Sequence, residues 1–393
     1  MPRLPRIVLK KGKEKPLLRG HPWVFSGAVA RTEGEIIPGD VGEAYSAEGH
    51  CLGIGHLNPH SQIVFRLLSP KREPLGVEFY GERISAALGW RERWYKGKTN
   101  AYRIVNGEGD FLPGLILDRY GETWVIQFLT AGMERVKDQI VHWLARRYGP
   151  QRIYERSDAA TRKEEGLPQR TGILYGEERF DPVEVVDDHC RFYVDVKNGQ
   201  KTGFYLDQRE NRYVIREVAA DQRMLDCFCY TGAFSVHAGM AGVKEVVLVD
   251  SSEEALDLAA AHFDLNPLGK VPHRMVRGDV FEIMRTFDPG YDIVVLDPPP
   301  FAKKKGHIAS ASRGYKELNL QAFRLLNKGG VLFTFSCSHH VSFDLFQKIL
   351  FAAALDAGRE VQWVSRRGQP IDHPVSLYHP EGEYLKGFIC RVL

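Results

Sequence analysis

No stretch of this 393-residue chain approaches the roughly 18 to 20 consecutive apolar residues of a membrane span, so no membrane association is expected. The basic lead MPRLPRIVLKKGKEK has no apolar signal core either, and a soluble, cytoplasmic protein is expected. Cysteine is sparse. The six thiols, Cys51, Cys190, Cys227, Cys229, Cys337 and Cys390, are scattered and none has C-x-x-C spacing, which favours neither a metal site nor a disulfide framework. Internal repeats and low-complexity tracts are absent. A net charge of +3 says little about partners, but residues 1–20 carry seven Lys or Arg against one Glu, a local excess suited to holding phosphates or simply to a solvated, frayed terminus.

What is present suffices for two or three domains, with 44% hydrophobic residues to fill their cores. After Arg19, short strands recur between glycines and prolines as far as Ser69, the pattern of a small β-barrel of about five strands. From Pro74 the period becomes helical in VEFYGERISAALGWRERWY, and a hairpin-like segment follows with turns at Asn106–Asp110 and Tyr120-Gly121. An amphipathic helix ends at Gly149, RIYERS reads as a strand, and the polar stretch Asp158–Arg170 reads as an exposed loop. Strands near Val183–Val186 and Arg191–Val196 complete an α+β region. From about residue 200, strands and helices alternate, which implies a mostly parallel α/β sheet covered on both faces, with a closing antiparallel pair. The expected division is 1–75, 76–195 and 196–393.

The sheet is organised around MLDCFCYTGAFSVHAG, Met224 to Gly239, followed by EVVLVD ending on Asp250: strand, loop, helix, strand. An acidic residue closing the second strand is placed to hold a ribose. The loop lacks the three-glycine fingerprint of dinucleotide sites, so the ligand it suits has no pyrophosphate; S-adenosyl-L-methionine is such a ligand. Asp226, Asp250, Asp279 and Asp297 stand at or just past the ends of successive strands, positions that share one crevice in a doubly wound sheet, although each alone could be a helix cap.

Asp297 opens DPPPF, a proline-stiffened loop whose carbonyls cannot all enter a ladder and can grip the polar edge of a base. The following AKKKGHIASASRGYK holds six basic residues, counting His307, and suggests a phosphate-bearing substrate or a solvated loop. In FTFSCSHH, Cys337 leaves an apolar strand among polar residues. A thiolate there could add to C6 of a pyrimidine and make C5 nucleophilic, whereas the same cysteine could equally be a small buried hydrophobe. Cys227 and Cys229 read as packing residues, and His339 and His340 as ordinary surface histidines. NGQKTGFYLDQRENR, Asn198 to Arg212, is dense in groups that could position an amino-acid moiety, or is a capped linker helix.

KTGFYLDQR, LDCFCYTGAFS, Asp250, GDVFE, LDPPPF and FSCS, in that order, resemble the large-subunit ribosomal RNA methyltransferase I family, which methylates C5 of a cytosine in 23S rRNA. RGHPWVFSGAV resembles that family's PUA domain. The resemblance implies a class I methyltransferase Rossmann-like doubly wound sheet, preceded by a small PUA-like β-barrel and an α+β central domain. It further implies that Asp226, Phe228, Tyr230, Thr231 and Gly232 line the S-adenosyl-L-methionine site, with Asp250 on the ribose, Asp279 facing the adenine, and Asp207, Gln208 and Arg209 near the methionine end. Asp297 and Pro298 would face cofactor and base, Cys337 would be the nucleophile, and RNA, 23S rRNA or a precursor, the partner. The oligomeric state stays open, a homodimer among the options. Pro300 and Phe301 stand where many RNA cytosine-C5 enzymes have a second cysteine, which fits a one-cysteine mechanism resembling that of uracil-C5 enzymes. A purine N-methyltransferase and a non-catalytic RNA-binding assembly factor are the rival readings.

Overall fold

A computed structural model describes residues 4–178, 181–302 and 304–393, without the side chain at 305. Lys303 and Arg3, both part of the basic segments noted above, lie outside the described residues. By packing, the chain divides into two units. The first runs to Val185 and includes Val194–Leu206 and Ile371–Gly382; the second comprises Val186–Tyr193, Asp207–Pro370 and Glu383–Leu393.

In the first unit, β1 (Arg6–Leu9), α1 (Lys15–Leu18), β2 (Trp23–Phe25), β3 (Val29–Glu33), β4 (Val41–Tyr45), β5 (Cys51–Leu57) and β6 (Ile63–Ser69) build a six-stranded sheet in the order β2-β6-β5-β4-β1-β3. The extra strand is β1. The basic lead is therefore not a frayed tail throughout: Ile7, Val8 and Leu9 are buried, and β1 pairs parallel with β4 and antiparallel with β3. A four-residue strand is too short to show alternation, and its partners lie far along the chain. The lysines beyond it, Lys10, Lys11, Lys13 and Lys15, are exposed.

α2 (Val77–Tyr95) then leads into β7 (Ala101–Asn106), β8 (Leu115–Tyr120), β9 (Thr123–Phe128), α3 (Ala131–Arg135), α4 (Lys137–Tyr148), β10 (Arg152–Ser157) and β11 (Arg170–Gly176), whose strands order β11-β10-β9-β8-β7. One face of α2 buries Tyr80, Ile84 and Leu88 in a core shared with Leu117, Ile126 and Leu144. α4 stops where expected, at Gly149 with φ 59°, a left-handed cap that glycine adopts without a Cβ clash. The polar stretch 158–170 is a correction. It contains a 3₁₀ turn, Ala160–Glu165, in which Arg162 is fully buried against Glu134 (2.9 Å) and Glu165 accepts from Arg66 (2.7 Å) and Asn58 (2.9 Å). Arg66 is 99 residues away in the chain, so charge counting within the loop could not foresee the pairing.

A two-stranded ribbon, β12 (Val183–Asp187) and β13 (Cys190–Val194), precedes α5 (Arg209–Ile215). The second unit continues through β14 (Arg223–Cys227), α6 (Ala233–Met240), β15 (Glu245–Asp250), α7 (Glu253–Leu265), β16 (His273–Arg277), α8 (Val280–Ile283), β17 (Tyr291–Leu296), α9 (Ile308–Leu325), β18 (Leu326–Ser336), α10 (Phe343–Ala357), β19 (Val361–Arg367) and β20 (Lys386–Val392). The strand order is β16-β15-β14-β17-β18-β20-β19. The first five strands run parallel, and β20 lies antiparallel between β18 and β19. VVLV of β15 and IVVL of β17 are buried on both faces, as central strands of a parallel sheet must be. The direction of winding reverses beside β14, and a crevice forms outside the carboxyl ends there.

Candidate active site

The carboxyl ends of β14, β15 and β17 bring Asp226, Asp250 and Asp297 together. Asp226 is inside β14 and fully buried, with its Oδ2 2.6 Å from the hydroxyl of Ser235 on α6. Burial pushes its carboxyl up to about 7, assisted by the charges of Asp297 and Asp250 and opposed by Ser235. Asp250 ends β15, where its Oδ2 accepts from the Tyr230 N–H (2.9 Å) and its Oδ1 from the Ser252 N–H (3.0 Å). Each of its oxygens keeps a lone pair for a further donor.

Between β14 and α6 the loop is tightly wound. Phe228, Tyr230 and Gly232 have φ of 59°, 48° and 71°, left-handed values that are uncommon for the two aromatic residues. The loop is held by Cys229 N–H on Val249 O (3.1 Å) and by His262 of α7, whose Nδ1 is 2.9 Å from Thr231 O. The Tyr193 N–H reaches His262 Nε2 (2.9 Å), so the proton is on Nδ1, which donates to Thr231. Gly232 is needed for space as well as for φ: a Cβ there would meet Leu248 Cδ2 at 2.9 Å and Ala259 Cβ at 3.1 Å. The hydroxyl of Thr231 is buried with no hydrogen-bond partner among the described residues.

On the other side of β14, Pro298 is buried while Pro299 and Pro300 are exposed. The Pro298 carbonyl faces Cys337, whose Sγ lies 3.6 Å from it. Ser338 fixes this approach: its Oγ accepts from the Ala302 N–H (3.1 Å) and is 2.9 Å from the hydroxyl of Tyr315 on α9. Behind Cys337, the ammonium of Lys386 donates to the carbonyls of Ser338 and Tyr384, 2.7 Å each. Phe301 packs against Tyr315, with ring centroids 4.7 Å apart and the rings tilted by 43°.

Other expected positions are engaged differently. Asp279 is exposed and caps α8, accepting from the Phe281 N–H at 2.7 Å. Asp207 and Gln208 are buried; Tyr384 donates to Asp207 Oδ2 (2.7 Å) and Asn211 to Gln208 Oε1 (2.6 Å). Arg209 is buried with its Nε on Asp187 Oδ1 (2.8 Å). Cys227 and Cys229 are buried, and burial holds both thiols well above the ordinary range. His339 is exposed and His340 partly so. The basic run after DPPPF is seen at Lys304, His307 and Arg313, which are exposed, and at Lys316, which pairs with Asp356.

Two look-alike constellations have other roles. Cys190, His237 and Asp187 line up as in a nucleophilic triad, with 3.5 Å from Sγ to Nδ1 and 3.5 Å from Nε2 to Oδ2. All three are buried, and burial pushes the Cys190 thiol up to about 12, so this is an internal polar network. His21, His379 and Glu381 have metal-ligand spacing. The Trp23 N–H donates to His21 Nδ1 (3.2 Å), so Nε2 carries the proton and faces Glu381 (3.5 Å), which spends on a hydrogen bond the lone pair a metal would need.

Comparison with known proteins decides the family. A PUA-like domain model matches residues 7–70, and an S-adenosylmethionine-dependent methyltransferase model matches residues 167–375. Ribosomal RNA large subunit methyltransferase I of Salmonella arizonae is 44% identical over 398 residues, covering 100% of this chain and 98% of that one. The protein of that name from Escherichia coli O157:H7 is 44% identical over 394 residues, covering 99% of both. The chain belongs to this family. Among solved structures, the methyltransferase SMU.776 complexed with SAH matches with a TM-score of 0.85 at 26% identity, over 98% of this chain and 100% of that one. A SAM-dependent methyltransferase from Streptococcus mutans matches at 0.83 and 26%, with the same coverage.

The chain is thus an S-adenosylmethionine-dependent methyltransferase, and its second unit has the expected Rossmann-like sheet. The residues present suit that group. The charges of Asp297 and Asp250 add to the raised proton affinity of Asp226, and such a cluster is relieved by a cation; the cofactor is cationic at sulfur and nitrogen. The Thr231 hydroxyl and the spare lone pairs of Asp250 supply groups for polar ligand atoms. Ser338, Tyr315, Lys386 and His262 escaped the sequence reading. The serine of FSCS was the one visible signal; the others act across more than 20 residues of chain.

Proposed function

We propose that this protein forms 5-methylcytosine in large-subunit ribosomal RNA by transient covalent addition of Cys337 to the base. The substrate class follows its full-length relatives, whose names specify the large ribosomal subunit RNA. The observation that carries the mechanism is the 3.6 Å approach of the Cys337 sulfur to the Pro298 carbonyl, because it sets a nucleophile beside the loop that begins with Asp297. A ring carbon of a pyrimidine needs such a nucleophile; a ring nitrogen or an exocyclic amine does not.

In this reading the Cys337 thiolate adds to C6, and the electron pair displaced from the C5–C6 bond makes C5 nucleophilic. Bound S-adenosylmethionine supplies the electrophilic methyl group. After C5 is methylated, loss of its proton restores the double bond and expels the thiolate. Asp297 holds the N3 and amino edge of the base. Asp250 holds the ribose of the cofactor, Asp226, Phe228, Tyr230, Thr231 and Gly232 line its site, and Asp279 faces its adenine. Asp207, Gln208 and Arg209 act at the methionine end by shaping the wall through their buried bonds. The PUA-like part, residues 1–75, holds RNA together with the basic loops, ahead of a central domain at 76–195 and a catalytic domain at 196–393. The target cytosine is unpaired or flipped out, since a stacked base hides C6.

RNA carrying 5-fluorocytosine tests the mechanism, because fluorine at C5 cannot leave as a proton and the adduct persists. A denaturation-stable protein–RNA complex that requires Cys337 is expected; no complex with methylation intact would refute it. Uracil is the second reading, favoured by Pro300 and Phe301 standing where a second cysteine would be. Mass spectrometry of ribosomal RNA from a strain lacking the protein separates the two bases.

A further inference from the structure

Lys386 is buried, with 3% of its surface exposed, at the first residue of β20, directly opposite Ser336 of β18. Cys337 is the next residue along from Ser336. An ammonium taken out of water is costly unless its hydrogen bonds are made and an opposite charge is near. Two of its three N–H groups are spent on the Ser338 and Tyr384 carbonyls, 2.7 Å each. Those carbonyls fix the nitrogen without neutralising it. Burial lowers its proton affinity to about 8, opposed first by Cys337, when its thiol is ionised, and then by Glu383. The nitrogen is fixed against the carbonyl of Ser338, the residue that follows Cys337.

Other groups also border the sulfur. It faces the Pro298 carbonyl from the loop after β17. The Tyr315 hydroxyl, from α9, is engaged with Ser338. Asp297, one residue before Pro298, is acidic and works against a thiolate, as does Glu383 by sharing the ammonium. His339 and His340 follow in the chain, and neither is buried.

We propose that Lys386 is a positioning residue for the nucleophile: its ammonium, fixed by the Ser338 and Tyr384 carbonyls, is the counter-charge that keeps the Cys337 sulfur anionic before it adds to the base. Starting from a neutral pair, the thiol proton passes to the amine, giving thiolate and ammonium with no change in net charge. When the sulfur is later expelled from the base it returns to the same ammonium. This deepens the reading of Cys337 as the nucleophile and rests on it.

Alkylation by iodoacetamide, quantified for each cysteine by peptide mass spectrometry across pH, tests the pairing without substrate or turnover. Exposed Cys51 is the internal reference thiol. In the intact protein, Cys337 is expected to reach half-maximal rate at least one pH unit below Cys51, which is about tenfold more thiolate at the lower pH. Lys386→Gln keeps a hydrogen-bond donor and removes the charge, and should erase that difference; Lys386→Arg should retain it. Melting temperature and S-adenosylmethionine binding report whether each variant folds, and if Lys386→Gln does not fold, the wild-type comparison with Cys51 and the Lys386→Arg profile decide. Coincident profiles for Cys337 and Cys51 in the wild type, or an unchanged Cys337 profile in folded Lys386→Gln, would overturn the proposal. A low-pH thiolate that never forms an adduct with 5-fluorocytosine RNA would leave the pairing standing and remove the nucleophile reading instead.

Discussion

The sulfur of Cys337 lies 3.6 Å from the carbonyl oxygen of Pro298, 39 residues earlier in the chain. The contact exists because β17 and β18 are parallel neighbours, so their carboxyl ends emerge side by side, and because prolines keep the loop after β17 out of a ladder. Cys337→Ala should then reduce methyl transfer by about three orders of magnitude or more, about 4 kcal/mol of barrier. Cofactor affinity should stay within about twofold, since the sulfur lies against the Pro298 carbonyl after β17 while the 228–232 loop follows β14. Single-turnover methylation beside a calorimetric titration of S-adenosylmethionine checks both halves, and methylation near the wild-type rate would end the covalent mechanism.

Asp250 offers a complementary test on the cofactor side. Its carboxylate accepts from the N–H groups of Tyr230 and Ser252, so it shapes the loop and faces the crevice together. Asp250→Asn keeps one acceptor oxygen and removes the charge. A charge-assisted hydrogen bond is worth about 1.5–3 kcal/mol, so the dissociation constant for S-adenosylmethionine should rise about 10- to 100-fold. Calorimetry would detect this; an unchanged constant would move the ribose elsewhere.

Much of this site was legible because strand ends are a local pattern. Continuous apolar runs closing on Asp226, Asp250 and Asp297 give the sheet and its crevice directly, and prolines after Asp297 announce a loop that cannot join a ladder. Asp279 fits two readings from sequence, and in the structure it caps α8. Long-range partners left no mark. His262 supports Thr231 from the next helix, Lys386 reaches Ser338 from the far end of the chain, and Arg162 and Glu165 look like solvent-facing charges until the fold supplies Glu134, Arg66 and Asn58. β1 was missed for the same reason, since both of its partner strands come later in the sequence.

Asp226 should make stability fall as pH rises. Burial, with help from Asp297 and Asp250, lifts its carboxyl in the folded protein to about 7 from an ordinary value near 3.8. Between those values the unfolded chain has released a proton that the folded chain retains. The penalty is absent below about pH 4, grows up to about pH 7 and is constant above, with a ceiling of about 4 kcal/mol. Asp226→Asn removes the titration while keeping an oxygen for Ser235. Urea denaturation should find the variant more stable than the parent by about 1–4 kcal/mol at pH 8, with the gap closing toward pH 4.5. A gap independent of pH would mean that Asp226 is already ionised in the fold.

Asp187 should act in the opposite sense. It is buried, and although burial alone would raise its carboxyl, Arg209 and Arg212 at 2.8 Å each, with His237, hold it well below the usual carboxylate range. A depressed carboxyl contributes stability above about pH 4 that is lost as pH falls through its folded value. His237 adds to the acid sensitivity: burial lowers it to about 4, so between about pH 6.5 and 4 the unfolded chain takes up a proton that the folded chain refuses. Asp187→Asn leaves two buried guanidinium groups without their counter-charge and should cost about 3–5 kcal/mol at pH 7. The loss on acidification that Asp187 causes should be absent from the variant, while the His237 slope persists and extends below pH 4, because Asp187 no longer raises the affinity of that ring for a proton. Denaturation midpoints followed from pH 7 to pH 3 would separate these contributions, and an Asp187→Asn variant as stable as the parent at pH 7 would mean that the two arginines find other partners when the carboxylate is removed.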